Sequence, residues 1–188
     1  MRAERHPSLL RPDDTLLVVV DMQEPFLRQA WERERVVANV ETLVRAAGLL
    51  LVPLVATLQN EGRMGGAIPE VAALLAPHVP TIDKMTFSCL GAEPFAQRLR
   101  FSGRRQVLLC GVETHVCISQ TAHDLMSAGY QVHVAADAVS SRAKEDWKVA
   151  LRRLARAGAQ VTSTEAAIFE LLYDANHPAF KEVLKLIK

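Results

Sequence analysis

Three side chains able to attack a carbonyl or move a proton stand at comparable places along the chain. Cys117 closes the turn GVETHVC, Asp21 follows the apolar run 16–20, and Lys84 ends the segment VPTIDK. A cysteine in the first turn of a helix sits among unpaired backbone N–H groups at the positive end of the helix dipole, so a thiol placed as Cys117 is can be a thiolate near neutral pH. A cysteine hydrolase needs such a thiolate, a group that takes its proton and returns it to the leaving group, and donors for the developing oxyanion. Asp21 fits the base and then the acid. Lys84 fits the cation that keeps both partners charged, and backbone N–H groups at the helix start fit the oxyanion donors. No histidine is required. Taken singly, each residue has a plainer reading: a small core cysteine, a capping aspartate and a solvated lysine.

Their placement on common elements is what joins them. The run 16–20 is continuously apolar, as in a parallel strand buried on both faces, and Pro25 is expected to break any immediate helix. Helical spacing of Val36, Val37, Val40, Leu43, Val44 and Ala47 predicts a helix over 32–47 capped by Gly48, then a strand over 49–57 in which Pro53 marks a bulge or a missing ladder bond. LQNEGRMGG reads as a flexible loop. A short helix over Pro69–Leu75 and an extended piece follow, the latter delivering Lys84.

A helix over 94–101 ends at Gly103, and a strand over 106–110 leads into a helix opening near Thr114 and stopping at Gly129. Beyond it the pattern predicts a strand over 130–136, a helix over 145–157 capped by Gly158, and a short strand Gln160–Thr162. Thr162 and Glu165 have capping-box spacing for a helix over 166–172. Asp137 is expected to satisfy loop N–H groups.

Four times a helical pattern ends in glycine and an apolar strand begins: AAG-LLLVPLVA, FSG-RRQVLLC, SAG-YQVHVAA and RAG-AQV. Alternating helices and strands with short links imply right-handed βαβ units. The expected fold is therefore α/β, a three-layer Rossmann-like arrangement with a mostly parallel six-stranded sheet and helices on both faces. Ligands of such sheets bind beyond the carboxyl ends of the strands, and Asp21, Lys84 and the turn before Cys117 all lie there.

The 188 residues fit one domain, 1–188, with an irregular arm over 1–14. A formal net charge of +1 gives no electrostatic reason to bind nucleic acid or anionic lipid, which leaves a small-molecule partner. Three cysteines without CxxC spacing suit free thiols in a reducing, cytoplasmic setting. The N-terminus lacks the apolar core of a signal peptide, and no segment is apolar enough to span a bilayer. His115 and His123 lie eight apart without a ligating pattern, and GRMGG lacks a following Lys-Ser/Thr, so neither a metal nor a phosphate loop is expected.

VVVDMQEPF, DKMTFS, GVETHVC and TAHDLMSAGYQVHVAADAVSSR together resemble the isochorismatase-like cysteine hydrolases, in the right order and over most of the chain. The resemblance implies a catalytic triad of Asp21, Lys84 and Cys117. It also implies a cis peptide at Val112–Glu113, whose N–H joins that of Cys117 in an oxyanion hole. Nicotinamidases of this superfamily carry an Asp-x-His metal motif after the second strand, whereas this chain reads TLQNEGRMGG there, so no metal and no cofactor are expected. ETHVC, GRMGGAIPE and the ending FELLYDANHPAFKEVLKLIK are most similar to the isochorismatase-domain-containing hydrolases, whose substrate is generally unassigned.

The implied activity is metal-independent hydrolysis of a small amide through an acyl-Cys117 intermediate. Vinyl ether hydrolysis of the isochorismate type is the alternative, and a non-enzymatic binding or regulatory module that keeps the fold is the rival class. Family members are often dimers or tetramers, and the apolar tail residues Phe180, Val183, Leu184 and Ile187 suit packing either on the chain's own core or on a second subunit. Substrate-contacting candidates are Phe26, Trp31, Gln59, Phe87, Glu113 and His115, which flank the three junctions.

Overall fold

In the computed structural model, which describes residues 5–75, 79 and 81–187, strand β1 (Thr15–Val20) is buried along its whole length. Both its faces are covered. Leu17 and Val19 point into one apolar core and Leu16, Val18 and Val20 into another, the alternation a pleated strand imposes. Residues 1–4 of the expected arm, Pro80 of the extended piece and Lys188 of the tail lie outside the described residues.

The elements follow as α1 (Glu24–Leu27), α2 (Arg33–Leu49), β2 (Leu54–Gln59), α3 (Glu61–Met64), α4 (Pro69–Leu75), β3 (Thr81–Lys84) and α5 (Glu93–Ser102). Then come β4 (Gln106–Val112), a π-helical turn (Thr114–Ile118), α6 (Ser119–Ser127), β5 (Gln131–Ser140), α7 (Lys144–Ala157), β6 (Gln160–Thr162), α8 (Thr164–Leu172) and α9 (Phe180–Ile187). The sheet has six strands in the order β3-β2-β1-β4-β5-β6, and each neighbouring pair is parallel. Core residues of α2, α4, α8 and α9 cover one face, and those of α5, α6 and α7 cover the other. The α/β three-layer expectation holds. The strand order reverses direction between β1 and β4, so the crevice at their carboxyl ends is where ligands of such sheets bind.

Several local expectations shift, each for a physical reason. Pro25 does not block a helix: it sits in the first turn of α1, where its missing N–H has no intrahelical partner to lose. Helix α2 runs through Gly48, and Leu51 instead takes the left-handed position (φ 55°), with the Val52 N–H reaching back to the Ala47 carbonyl at 2.9 Å. Strand β2 therefore starts only at Leu54. Pro53 precedes it and contributes its carbonyl to the Leu17 N–H at 3.0 Å, so no bulge is needed. LQNEGRMGG holds the end of β2 and the one-turn helix α3 rather than a loop throughout.

Strand β5 extends to Ser140 and absorbs extra residues between its pairings with Leu109 and Gly111. The α8 cap is Ser163, whose hydroxyl accepts the Ala166 N–H, not Thr162. Asp137 caps that helix from within β5: its Oδ1 accepts the Thr164 N–H at 2.8 Å and its hydroxyl at 2.9 Å. The tail forms α9, with Val183 fully buried in the chain's own core and Phe180 and Ile187 packed against it. The arm is irregular over the residues described, yet Leu10 is buried and its N–H is held by Glu170 at 2.9 Å.

Candidate active site

Asp21 leaves β1 in the left-handed conformation (φ 50°), a region where a short polar side chain is better tolerated than most. Its N–H bonds the Thr57 carbonyl at 3.0 Å, and its Oδ1 accepts the Thr57 hydroxyl at 2.8 Å. Beside it, Gly111 in β4 has φ 109°, and a Cβ built there would lie 2.1 Å from the Val20 carbonyl oxygen. Only glycine permits that approach. Close packing of the ends of β1 and β4 thus brings Asp21 next to the turn that carries Cys117.

Lys84, the last residue of β3, reaches across β2. Its Nζ lies 2.8 Å from Asp21 Oδ2, 2.7 Å from Gln59 Oε1 and 3.7 Å from Cys117 Sγ, with the Thr86 and Phe87 carbonyls at 3.2 and 3.3 Å. The Asp21–Lys84 ion pair is buried, with side chains 1% and 0% exposed. Burial disfavours the ammonium, but the Asp21 carboxylate, with Cys89 and Cys117, outweighs it and holds the Lys84 pKa above its ordinary value. The three residues singled out from the sequence therefore meet at one point.

The thiolate expectation does not survive the fold. Burial foremost, and then the Asp21 charge, push the Cys117 thiol well above its ordinary range, while the Lys84 charge pulls it back. Nor is the turn an ordinary helix start. The Glu113 carbonyl accepts the Val116 N–H at 3.1 Å and the Ile118 N–H at 3.2 Å, leaving out that of Cys117 between them. The resting pair is thus a thiol facing a carboxylate that is held by lysine. The Val112–Glu113 peptide is cis, as the resemblance implies.

A cavity of about 60 Å³ opens over this cluster, lined by Asp21, Phe26, Gln59, Phe87, Val112, Glu113, Val116 and Cys117. Of the proposed substrate contacts, Phe26, Gln59, Phe87 and Glu113 are in that wall. Trp31 and His115 are not. Trp31 packs at a tilt on Trp147, ring centroids 4.9 Å apart, with Arg35 and Lys144 over its ring, and His115 Nδ1 bonds Ser141 Oγ at 2.9 Å. Gln59 does more than line the wall, since its amide accepts from Lys84 and donates to the Met85 carbonyl at 3.0 Å. Thr57 was not singled out from the sequence. A threonine in a strand carries no local signal, and only the pairing of β1 with β2 sets it against Asp21.

Larger clefts lie away from this chemistry. One of about 490 Å³ includes Arg11, Tyr173 and His177, and one of about 620 Å³ lies between α2 and α9. Among the described residues, no three His, Cys, Asp or Glu side chains group closely enough to hold a metal ion, so the donor set does not fit one. Cys89, Cys110 and Cys117 are all free and buried. Among the described residues no helix is long and apolar enough to cross a membrane.

The fold is a doubly wound parallel α/β sheet whose switch point gathers Asp21, Lys84 and Cys117. The model of the isochorismatase domain matches residues 15–166. The chain belongs to the isochorismatase-like hydrolase family. It is 44% identical over 191 residues to the secreted isochorismatase effector Isc1 of Phytophthora sojae, covering 99% of this chain and 90% of that protein. It is 41% identical over 192 residues to isochorismatase domain-containing protein 2 of Bos taurus, with the same 99% and 90% coverage. Among solved structures, MAR1 ribonuclease from Caenorhabditis elegans superposes with a TM-score of 0.90 at 36% identity, covering 95% of this chain and 92% of that one.

Proposed function

We propose that the chain is a metal-independent hydrolase of a small amide, working through Cys117, Asp21 and Lys84. The observation that carries this reading is the contact of the buried Lys84 ammonium with both the Asp21 carboxylate, at 2.8 Å, and the Cys117 sulfur, at 3.7 Å, behind a cavity whose wall holds Asp21 and Cys117. Because the resting thiol is protonated, the first step is a proton transfer. Asp21 takes the Sγ proton as sulfur attacks the amide carbonyl carbon, and the carbonyl oxygen becomes an oxyanion facing the N–H groups of Glu113 and Cys117. Protonated Asp21 then gives its proton to the leaving nitrogen, releasing the amine or ammonia and an acyl-thioester. Asp21 next deprotonates a water that attacks the thioester, the acid departs, and sulfur regains a proton. Lys84 stays an ammonium throughout and offsets the charge of whichever partner is anionic.

Vinyl ether hydrolysis is the second reading. It rests on the family resemblance and does not require sulfur to attack. The chain's formal net charge of +1 and a cavity wall bearing two carboxylates support a small-molecule substrate over a nucleic acid. The single domain 1–188 acts as several copies in a cytoplasmic setting: exposed Leu51 and Phe101, each 86% exposed, support association, and three free cysteines support a reducing compartment.

A panel of short amides assayed for ammonia release tests the reading. Wild type should turn over at least one of them, with Cys117→Ala and Asp21→Asn both inactive. Amide turnover retained by Cys117→Ala would refute sulfur as the nucleophile, and turnover of an enol ether with none of the amides, retained by Cys117→Ala, would move the assignment to the vinyl ether route. Turnover by none, with a ligand still raising the melting temperature, would move it to a binding module.

A further inference from the structure

The charges around the cavity are not balanced within it. Asp21 in the wall and Lys84 buried behind it offset each other. The remaining charge in the wall is the Glu113 carboxylate, whose side chain is only 11% exposed. Its partner Arg142 stands outside the lining and is 59% exposed, with Nε 3.0 Å from Glu113 Oε1. The Arg142 backbone N–H also bonds that same oxygen, at 3.3 Å. Among the described residues Glu113 Oε2 accepts no hydrogen bond, yet it is not among the buried atoms closed off without a partner.

The anion thus sits at the wall of a small cavity, where charge is weakly screened, and its counter-cation sits in water, where it is strongly screened. Besides Asp21 and Glu113 the lining is Phe26, Phe87, Val112 and Val116 with the neutral Gln59 and Cys117, and no Lys or Arg belongs to it.

We propose that Glu113 is a specificity-determining residue of this site, selecting substrates whose acyl group is neutral or cationic and donates hydrogen bonds, and rejecting carboxylated ones. The inference rests on the hydrolase reading for where the substrate sits. Glu113 Oε2 accepts from an N–H or O–H of the bound molecule, while a substrate carboxylate meets a like charge with no free cation to answer it. The cavity of about 60 Å³ limits the acyl group to a few heavy atoms. Isochorismate-type substrates, which are dicarboxylates, are on this account poor ligands.

Three amides of nearly equal size separate the possibilities: butyramide, β-alaninamide and malonamate, which are neutral, cationic and anionic. Their binding is measured by calorimetric titration against the folded Cys117→Ala protein, so that no outcome depends on turnover. Butyramide and β-alaninamide should bind, and malonamate should bind about 100-fold more weakly. Glu113→Gln should narrow that gap at least about tenfold, and Arg142→Gln, which removes the counter-cation of Glu113, should widen it. Malonamate binding as well as butyramide, a gap unchanged in Glu113→Gln, or no binding by any of the three overturns the inference. The hydrolase reading falls separately, if wild type binds the amides and turns over none.

Discussion

Replacing Lys84 by methionine isolates the buried ion pair beside the reactive cysteine. The substitution keeps the length of the side chain and removes one ammonium, together with its bonds to Asp21, Gln59 and the Thr86 and Phe87 carbonyls. What remains is a carboxylate that is 1% exposed and faces no cation. Breaking a buried pair by removing one partner costs about 3–5 kcal/mol, because the other charge stays desolvated. In a chain of 188 residues each kcal/mol lowers the melting temperature by about 2–4 °C, so the drop should be about 6–20 °C. A thermal scan measures that drop and urea unfolding followed by circular dichroism measures the free-energy loss, with an unchanged slope showing that the folded state is intact. Adding Asp21→Asn should restore stability to within about 2 kcal/mol of wild type, since asparagine tolerates the left-handed backbone and carries no charge. A loss below about 1 kcal/mol for Lys84→Met, or a double variant no better than the single one, would refute the reasoning that the pair is desolvated and mutually dependent.

His133 is buried in β5, its Nε2 lacks a partner, and burial pulls its pKa down to about 4. The unfolded chain takes up that proton near pH 6.5, so stability is complete above that pH and falls as pH drops toward 4, by about 3 kcal/mol at most; His133→Leu should flatten the dependence of the urea midpoint between those limits. Iodoacetamide followed by peptide mass spectrometry should modify Cys117 ahead of Cys89 and Cys110 in the folded protein, because Cys117 alone of the three lines the cavity. Its rate should rise steeply with pH above neutrality, since burial and the Asp21 charge hold the thiol protonated; a rate flat from pH 6 to 9 would refute the protonated resting state. Gly111→Ala should destabilise by about 4 kcal/mol or more, since its Cβ would sit 2.1 Å from the Val20 carbonyl oxygen, and a near-neutral result in urea would refute the close approach of β1 and β4.

The sequence determined the layers and the three reactive side chains. Apolar runs fix buried strands, the glycines at 103, 129 and 158 end helices in positive-φ positions, and a reactive residue after a parallel strand must appear at the carboxyl edge. These features are local, or follow from chirality, and so can be read along the chain. Gly48 shows where local reading stops: α2 continues past it, and Leu51 takes the left-handed turn.

The state of the thiol was decided by tertiary structure alone. Helix position favours a thiolate, but desolvation and the Asp21 charge, contributed by a strand almost a hundred residues away in sequence, reverse the sign. Thr57 enters the site only because β1 pairs with β2. Likewise, Trp31 and His115 lie near the junctions in sequence but stand outside the cavity lining in space, where Trp147 and Ser141 hold them. Electrostatic and packing terms depend on distances between elements, and a single chain of letters specifies those only through the fold.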